Sequence, residues 1–211
     1  TPKPRWEGAD LRGLAEDLPC RIDTDVNGAA LAEGLWGAAQ GLRSWCYITI
    51  GTGIGVGSIV NGEPVDGLGH SEAGHMRVPL AASGFTGTCP YHGTCIEGLI
   101  SGPALAARTG IDGAEIPDNH PVWEEAAHEL AFLCHNLVLT IVPQRILIGG
   151  GIGMARPSLI ERAQARLVEG LGGYAHGASV GAGYLARPKL GSMAGPLGAI
   201  ALAKTCAANS V

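Results

Sequence analysis

Charge is scarce in this chain. Only 16% of the 211 residues are charged, and the formal net charge is −5. That balance excludes a nucleic-acid surface built on bulk positive charge. No run of about eighteen apolar residues is free of breaks, so no membrane-spanning helix is expected. The first residues carry no secretory signal pattern. They also lack an initiating Met, so the chain is expected to be a piece of a longer one. Six cysteines are too few and too scattered for a secreted disulfide framework. A reducing, cytoplasmic setting follows. Internal repeats and low-complexity linkers are absent as well.

What is present is apolar and rich in glycine. Hydrophobic residues make up 46%, enough for the core of one large domain or one domain with part of a second. Of the 34 glycines, 14 cluster in GTGIGVG, GGGIG and GLGGYAHGASVGAGY, where they allow tight turns and close approach of a ligand to the backbone. Leu11, Leu14 and Leu18 stand at helical spacing. Asp23, Thr24 and Asp25 are N-cap candidates for a helix that runs past Ala39 and stops at Gly41. WCYITI (45–50) predicts a buried strand. GTGIGVGSIV predicts a turn and a second strand, and Asn61-Gly62 signals a hairpin. Ser101 and Pro103 open another helix. The apolar positions from Trp123 to Ile141 have the three-four spacing of a long amphipathic helix. Arg145 to Ile148 predicts a strand running into three glycines, followed by a helix from about Ser158 to Gly170, opened by Pro157. A short strand in YLARPKL and an apolar helix in GPLGAIALAKTCA complete the pattern. Strands alternate with helices, so the class is α/β.

The densest chemistry lies between Glu72 and Gly98. Cys89, His92 and Cys95 stand at tight spacing in CPYHGTC, and His75 lies upstream. Together they would complete a tetrahedral thiolate–imidazole zinc site. Glu72 and Glu97 bracket the set. The remaining cysteines, Cys20, Cys46, Cys134 and Cys206, lie in apolar surroundings and are expected to be inert core thiols. His128 and His135 ride seven apart on the long helix, where lone histidines are more often packed or solvated than ligating. Two stretches suit phosphate. Gly51, Thr52 and Gly53 form a glycine turn between strands, whose N–H groups and hydroxyl can donate to phosphate oxygens; the turn has no Walker lysine. Gly149, Gly150 and Gly151 sit between a strand and a helix, where free N–H groups face an anion. The ordinary role of Asp25, at a helix start, is a cap.

In order and spacing, DTDVNGAALAE, GTGIGVGSIVNG, EAGH with CPYHGTCIEGLISGPA, and ILIGGGI resemble the ROK family of sugar kinases and repressors, most closely its fructokinase-type members. PLGAIALA fits as well. The resemblance implies an actin/hexokinase-like (ribonuclease H-like) fold with the active site in a cleft between two lobes. It divides the chain into the end of the small lobe (1–43), the large lobe (44–195) and a closing helix (196–211). It implies transfer of the γ-phosphoryl of ATP, with Mg²⁺, to a hexose hydroxyl, most closely that of fructose. Asp25 would be the general base. Thr24, Glu72, His75 and Glu97 would bind the sugar; Gly51–Gly53 and Gly149–Gly151 would serve the nucleotide. His75, Cys89, His92 and Cys95 would hold a structural Zn²⁺, with His75 offering its other ring nitrogen to the sugar. A homodimer is implied too. The family's opening DxGGT phosphate loop is missing, so the chain resembles the C-terminal two-thirds of a kinase. Thr24 also stands where many relatives carry Asn. Two other readings compete: a sugar-responsive repressor whose DNA-binding N-terminus lies outside this chain, and a zinc hydrolase, which would need an open zinc position.

Overall fold

The computed structural model describes residues 9–10, 13, 18, 20–81, 84–174, 177 and 179–208, the last three by backbone alone. Leu11 and Leu14 lie outside these, so their helical spacing has no structural counterpart to compare. Five strands form one mixed sheet: β1 (Trp45–Ile50), β2 (Ile54–Val60), β3 (Glu63–Pro64), β4 (Ile146–Gly149) and β5 (Leu185–Ala186), in the order β3-β2-β1-β4-β5. β1 pairs antiparallel with β2, and β2 with β3. β1 and β4, and β4 and β5, are parallel. Parallel neighbours need long crossovers. Between β1 and β4, after β2 and β3, come α2 (Ile96–Ile100), α3 (Gly102–Thr109) and α4 (Val122–Thr140). Between β4 and β5 come α5 (Gly150–Ala155) and α6 (Pro157–Leu171), and α1 (Asp25–Trp36) and α7 (Ala194–Ala208) flank the whole.

The pleat explains why the sheet is apolar on both faces. Alternate residues of a strand point to opposite sides. Cys46, Ile48 and Ile50 enter a core with α4 and α6, while Trp45 and Tyr47 enter a second core with α1 and α7. Asn61 (φ 53°) and Gly62 (φ 88°) are both left-handed and turn β2 into β3, as the Asn-Gly pair predicts. Ser101 caps α3 by accepting from the Ala104 N–H at 3.4 Å. Among the described residues, no helix is long and apolar enough to cross a membrane.

Three expectations need correction. α1 ends at Trp36, not at Gly41, because the Glu33 carboxylate folds over the helix end and accepts the Ala38 N–H at 2.6 Å. The glycines after β4 do not form a loop: Gly149 caps α5, which starts at once at Gly150. Gly150 is left-handed (φ +80°), and a Cβ there would stand 2.4 Å from the Ile50 carbonyl oxygen, so only glycine lets α5 dock on β1. Cys46 and Cys134 are fully buried, and burial pushes the Cys46 thiol up to about 12 and that of Cys134 higher still. Cys20, however, is exposed on the segment leading into α1 and is no core thiol. The Cys206 side chain lies outside the described set.

α1 is wedged in place by backbone contact. A Cβ on Gly198 of α7 would stand 2.5 Å from the Gly28 carbonyl carbon, and one on Gly57 of β2 would stand 2.6 Å from the Val26 carbonyl oxygen. Gly198→Val must push the two helices apart in a close-packed region. We expect it to cost about 2–3 kcal/mol, measured as a lowered midpoint in urea unfolding. An unchanged midpoint would mean that the helices separate without penalty.

Candidate active site

One cleft collects most of the sequence-predicted residues. It is lined by Thr24 and Asp25 at the start of α1, by Gly51, Thr52 and Gly53 between β1 and β2, by Glu72 and His75, by Glu97 of α2, and by Gly150 and Gly151 of α5. The start of α1 is built by its neighbours. Thr24 is the cap: its hydroxyl oxygen accepts the Asn27 N–H at 3.1 Å. Asp23 accepts the Thr24 N–H at 2.8 Å and the Asn27 side-chain amide at 2.6 Å. Capping therefore falls to Thr24, and the exposed Asp25 carboxylate is left to face the cleft. Glu97 sits in the first turn of α2 and accepts the Ile54 N–H at 3.1 Å, which ties it to the start of β2. The Gly51 carbonyl accepts the Gly102 N–H at 2.8 Å, so the glycine turn is tied to α3. Glu72 is the least constrained member. Its carboxylate is 67% exposed and lies 2.8 Å from His70 Nε2. Gly149 does not reach the cleft; it is buried, with the Tyr47 hydroxyl against it.

The metal-type donors converge behind this wall. One donor atom each from His75, Cys89, His92 and Cys95 lies within 4.8 Å of all the others. His75 Nδ1 is 3.4 Å from Cys95 Sγ and 3.7 Å from Cys89 Sγ, and His92 Nδ1 is 3.8 Å from Cys89 Sγ. Tetrahedral zinc, with bonds of about 2.3 Å to sulfur and about 2.0 Å to nitrogen, sets its donors about 3.3–3.8 Å apart. The four residues therefore fit a closed tetrahedral set, which leaves no position for the catalytic water of a hydrolase. The local backbone gathers them. Cys89 and Gly93 bond each other across a tight turn, and Arg77 bridges to Cys95. Burial raises the Cys95 thiol above its ordinary value, the main cause being desolvation; a bound cation would offset that cost for the thiolate.

Asp25 also borders a second hollow on its other side, lined by Tyr47, Thr49, Gly150, Gly151, Met154, Gly191 and Ser192 among others. Tyr47, Met154, Gly191 and Ser192 escaped the sequence reading. Tyr47 and Thr49 could have been found from the period of two in β1, which puts both on the α1 side. The Tyr47 hydroxyl is pushed up to about 12, first by burial and then by the negative charges of Glu33 and Asp25, so it stays neutral and protonated at neutral pH.

An ion cluster braces the Cys/His loop and has no counterpart in the sequence reading. Arg108 of α3 is 5% exposed at its side chain and pairs with Glu129 of α4, 1% exposed, at 2.7 Å. It also donates to the Leu99 carbonyl of α2 at 3.1 Å, and its guanidinium lies 5.3 Å from the centre of the Phe85 ring. The helix bearing Glu97 is thus tied to both α4 and the loop ahead of Cys89. His128 and His135 stay outside the site; His128 packs on Phe132 with ring centres 4.9 Å apart.

Known proteins resemble this chain over nearly its whole length. Residues 1–206 match the ROK family. A fructokinase of Streptococcus mutans is 39% identical over 217 residues, covering 99% of this chain and 73% of that protein. A fructokinase of Lactococcus lactis is 40% identical over 179 residues, covering 82% of this chain; the chain spans only 60% of that relative's length. Among solved structures, the ROK hexokinase of Thermus thermophilus superposes with a TM-score of 0.79 at 28% identity, over 94% of this chain and 70% of that one. The actin-like fold of these kinases is thereby assigned to this chain.

Proposed function

Because this chain belongs to the ROK family, we propose that it forms most of an ATP-dependent hexose kinase, with fructose, phosphorylated to fructose 6-phosphate, as the preferred sugar. The observation that carries the reading is the position of Asp25, whose carboxylate borders two hollows at once. A sugar hydroxyl on the His75–Glu97 side and a phosphoryl group on the Gly150–Ser192 side could both reach it. Asp25 takes the proton of the attacking hydroxyl as the phosphoryl arrives, the role a carboxylate suits in a transfer dominated by positioning. Glu97, held by the Ile54 N–H, accepts from sugar hydroxyls with its remaining lone pairs. Thr24 caps α1 with its hydroxyl oxygen and keeps its proton for the sugar. His75 faces the same cleft, and with Nδ1 turned to the cysteines its Nε2 is left for the substrate. Glu72 joins once it leaves His70.

Zinc, held by His75, Cys89, His92 and Cys95, would fix the loop and supply no reacting group. Mg²⁺ would accompany ATP, whose phosphates would lie along Gly51–Gly53 and Gly150–Gly151. The fructokinases at 39–40% identity support fructose over other hexoses. The test is a coupled assay of this chain and of its full-length parent, the latter carrying the phosphate loop, with ATP and fructose, mannose, glucose or N-acetylmannosamine. Fructose should give the highest kcat/KM; no turnover with any of them would remove the reading. Glu97→Ala should raise the fructose KM at least tenfold, since a buried donor loses its acceptor as well. An unchanged KM would confine Glu97 to holding the start of β2.

A further inference from the structure

Glu33 lies two turns along α1 from Asp25, on the same helix, about 12 Å away along its axis. It is fully buried, and a buried carboxylate is costly unless its oxygens are satisfied. Here they accept three backbone N–H groups. Oε2 accepts from Ala38 at 2.6 Å and Lys189 at 3.1 Å, and Oε1 accepts from Leu190 at 2.8 Å. The Ala38 bond closes the helix. The other two reach across the fold to a segment far along the chain, and that segment does not end there. Leu190 leads directly into the short 3-10 turn Gly191–Met193 and accepts the Met193 N–H at 3.0 Å. Gly191 and Ser192 of that turn form a wall of the hollow that Asp25 borders. One rigid helix therefore holds the carboxylate in the cleft at its start and the opposite wall at its end.

We propose that Glu33 is a positioning residue for the phosphate donor: it fixes the Gly191–Met193 wall at a set distance from Asp25, and so sets where the nucleotide lies relative to the base. This rests on the kinase reading above. A carboxylate is needed because both of its oxygens accept. An amide would offer one acceptor and turn an NH₂ group toward a backbone N–H, so one bond is lost and a donor is left facing a donor. Its neighbour Gly37 has no room for a side chain, since a Cβ there would lie 1.9 Å from Glu33 Oε2. Charge-assisted bonds of this kind are the strong ones, and losing one loosens the wall without touching the metal loop or Glu97.

The experiment is calorimetric titration of the full protein with a non-hydrolysable ATP analogue plus Mg²⁺, and separately with fructose. Wild type and Glu33→Gln are compared. The nucleotide Kd should rise about tenfold or more in the variant, while the fructose Kd stays within about twofold, since the loss is that of one charge-assisted bond. Equal weakening of both ligands would make Glu33 a general support of the fold and overturn the proposal; so would an unchanged nucleotide Kd. Should Glu33→Gln fail to fold, amide exchange on the wild type decides: the analogue should slow exchange at Lys189 and Leu190, and no slowing overturns the proposal. A wild type that binds no nucleotide would overturn the kinase reading and this one with it. Binding that the substitution leaves intact overturns this one alone.

Discussion

Asp25→Asn should lower kcat about 10²–10⁴-fold, the usual worth of a positioned general base, while the fructose KM changes little. The geometry favours a clean result. The helix start is capped by Thr24 and braced by Asp23, so neither depends on the Asp25 carboxylate. Asn keeps the shape and can still lie beside a hydroxyl, but it cannot take the proton. Steady-state kinetics with ATP and fructose would separate the two parameters. A variant with native kcat would remove Asp25 from the chemistry and leave it a border residue between two hollows. A variant that lost sugar affinity as heavily as turnover would make Asp25 a binding group instead.

Removal of the metal should have the next largest effect, and it should fall on the sugar. Four side chains separated by up to twenty residues meet within 4.8 Å. Apparent binding energies of about 10–16 kcal/mol are found for structural zinc in small peptides, so the loop is expected to rely on the ion. Native protein should contain about one zinc per chain, as such a closed four-donor set binds one ion. Cys89→Ser should abolish it, lower the melting temperature and raise the fructose KM at least tenfold, because His75 loses the partner that orients its ring. Nucleotide affinity should hold, since the Gly150–Ser192 side lies on other elements. Metal analysis, thermal melting and titration check the three parts. Native protein free of zinc yet fully active would overturn the assignment.

The Cys/His cluster was readable because three of its four side chains fall within seven residues, and such spacing permits few geometries. β1 was readable because a largely apolar six-residue run ending at Gly51 has few other uses. Asp25 was found by resemblance; its local sequence suggested only a cap, and the cap proved to be its neighbour Thr24. α5 was missed because three glycines predict a turn, and the helix there is imposed by docking on β1. Propensity yields to tertiary contact in such places. Glu33 was invisible for a different reason. Two of its three donors lie more than 150 residues away, and they are backbone groups that carry no sequence signature. Arg108 and Glu129 pair between helices whose contact the chain order does not reveal. The end of α1 was misjudged at Gly41 because the stop comes from the Glu33 carboxylate, and Gly37, without a side chain, leaves room for it.

The close crossing of α1 and α7 bears on the order in which the site matures. α1 holds Asp25, and it is clamped by a helix that the ribosome delivers only after every strand of the sheet. Contacts of such long sequence separation close last and slowly. The sheet and the loop around Cys89–Cys95 can therefore settle first, while the Asp25 carboxylate stays loosely held. A growing chain would gather its four Cys/His donors before α1 is seated, and the Asp25 side of the cleft would be completed in a single late step, when Gly198 seats against Gly28.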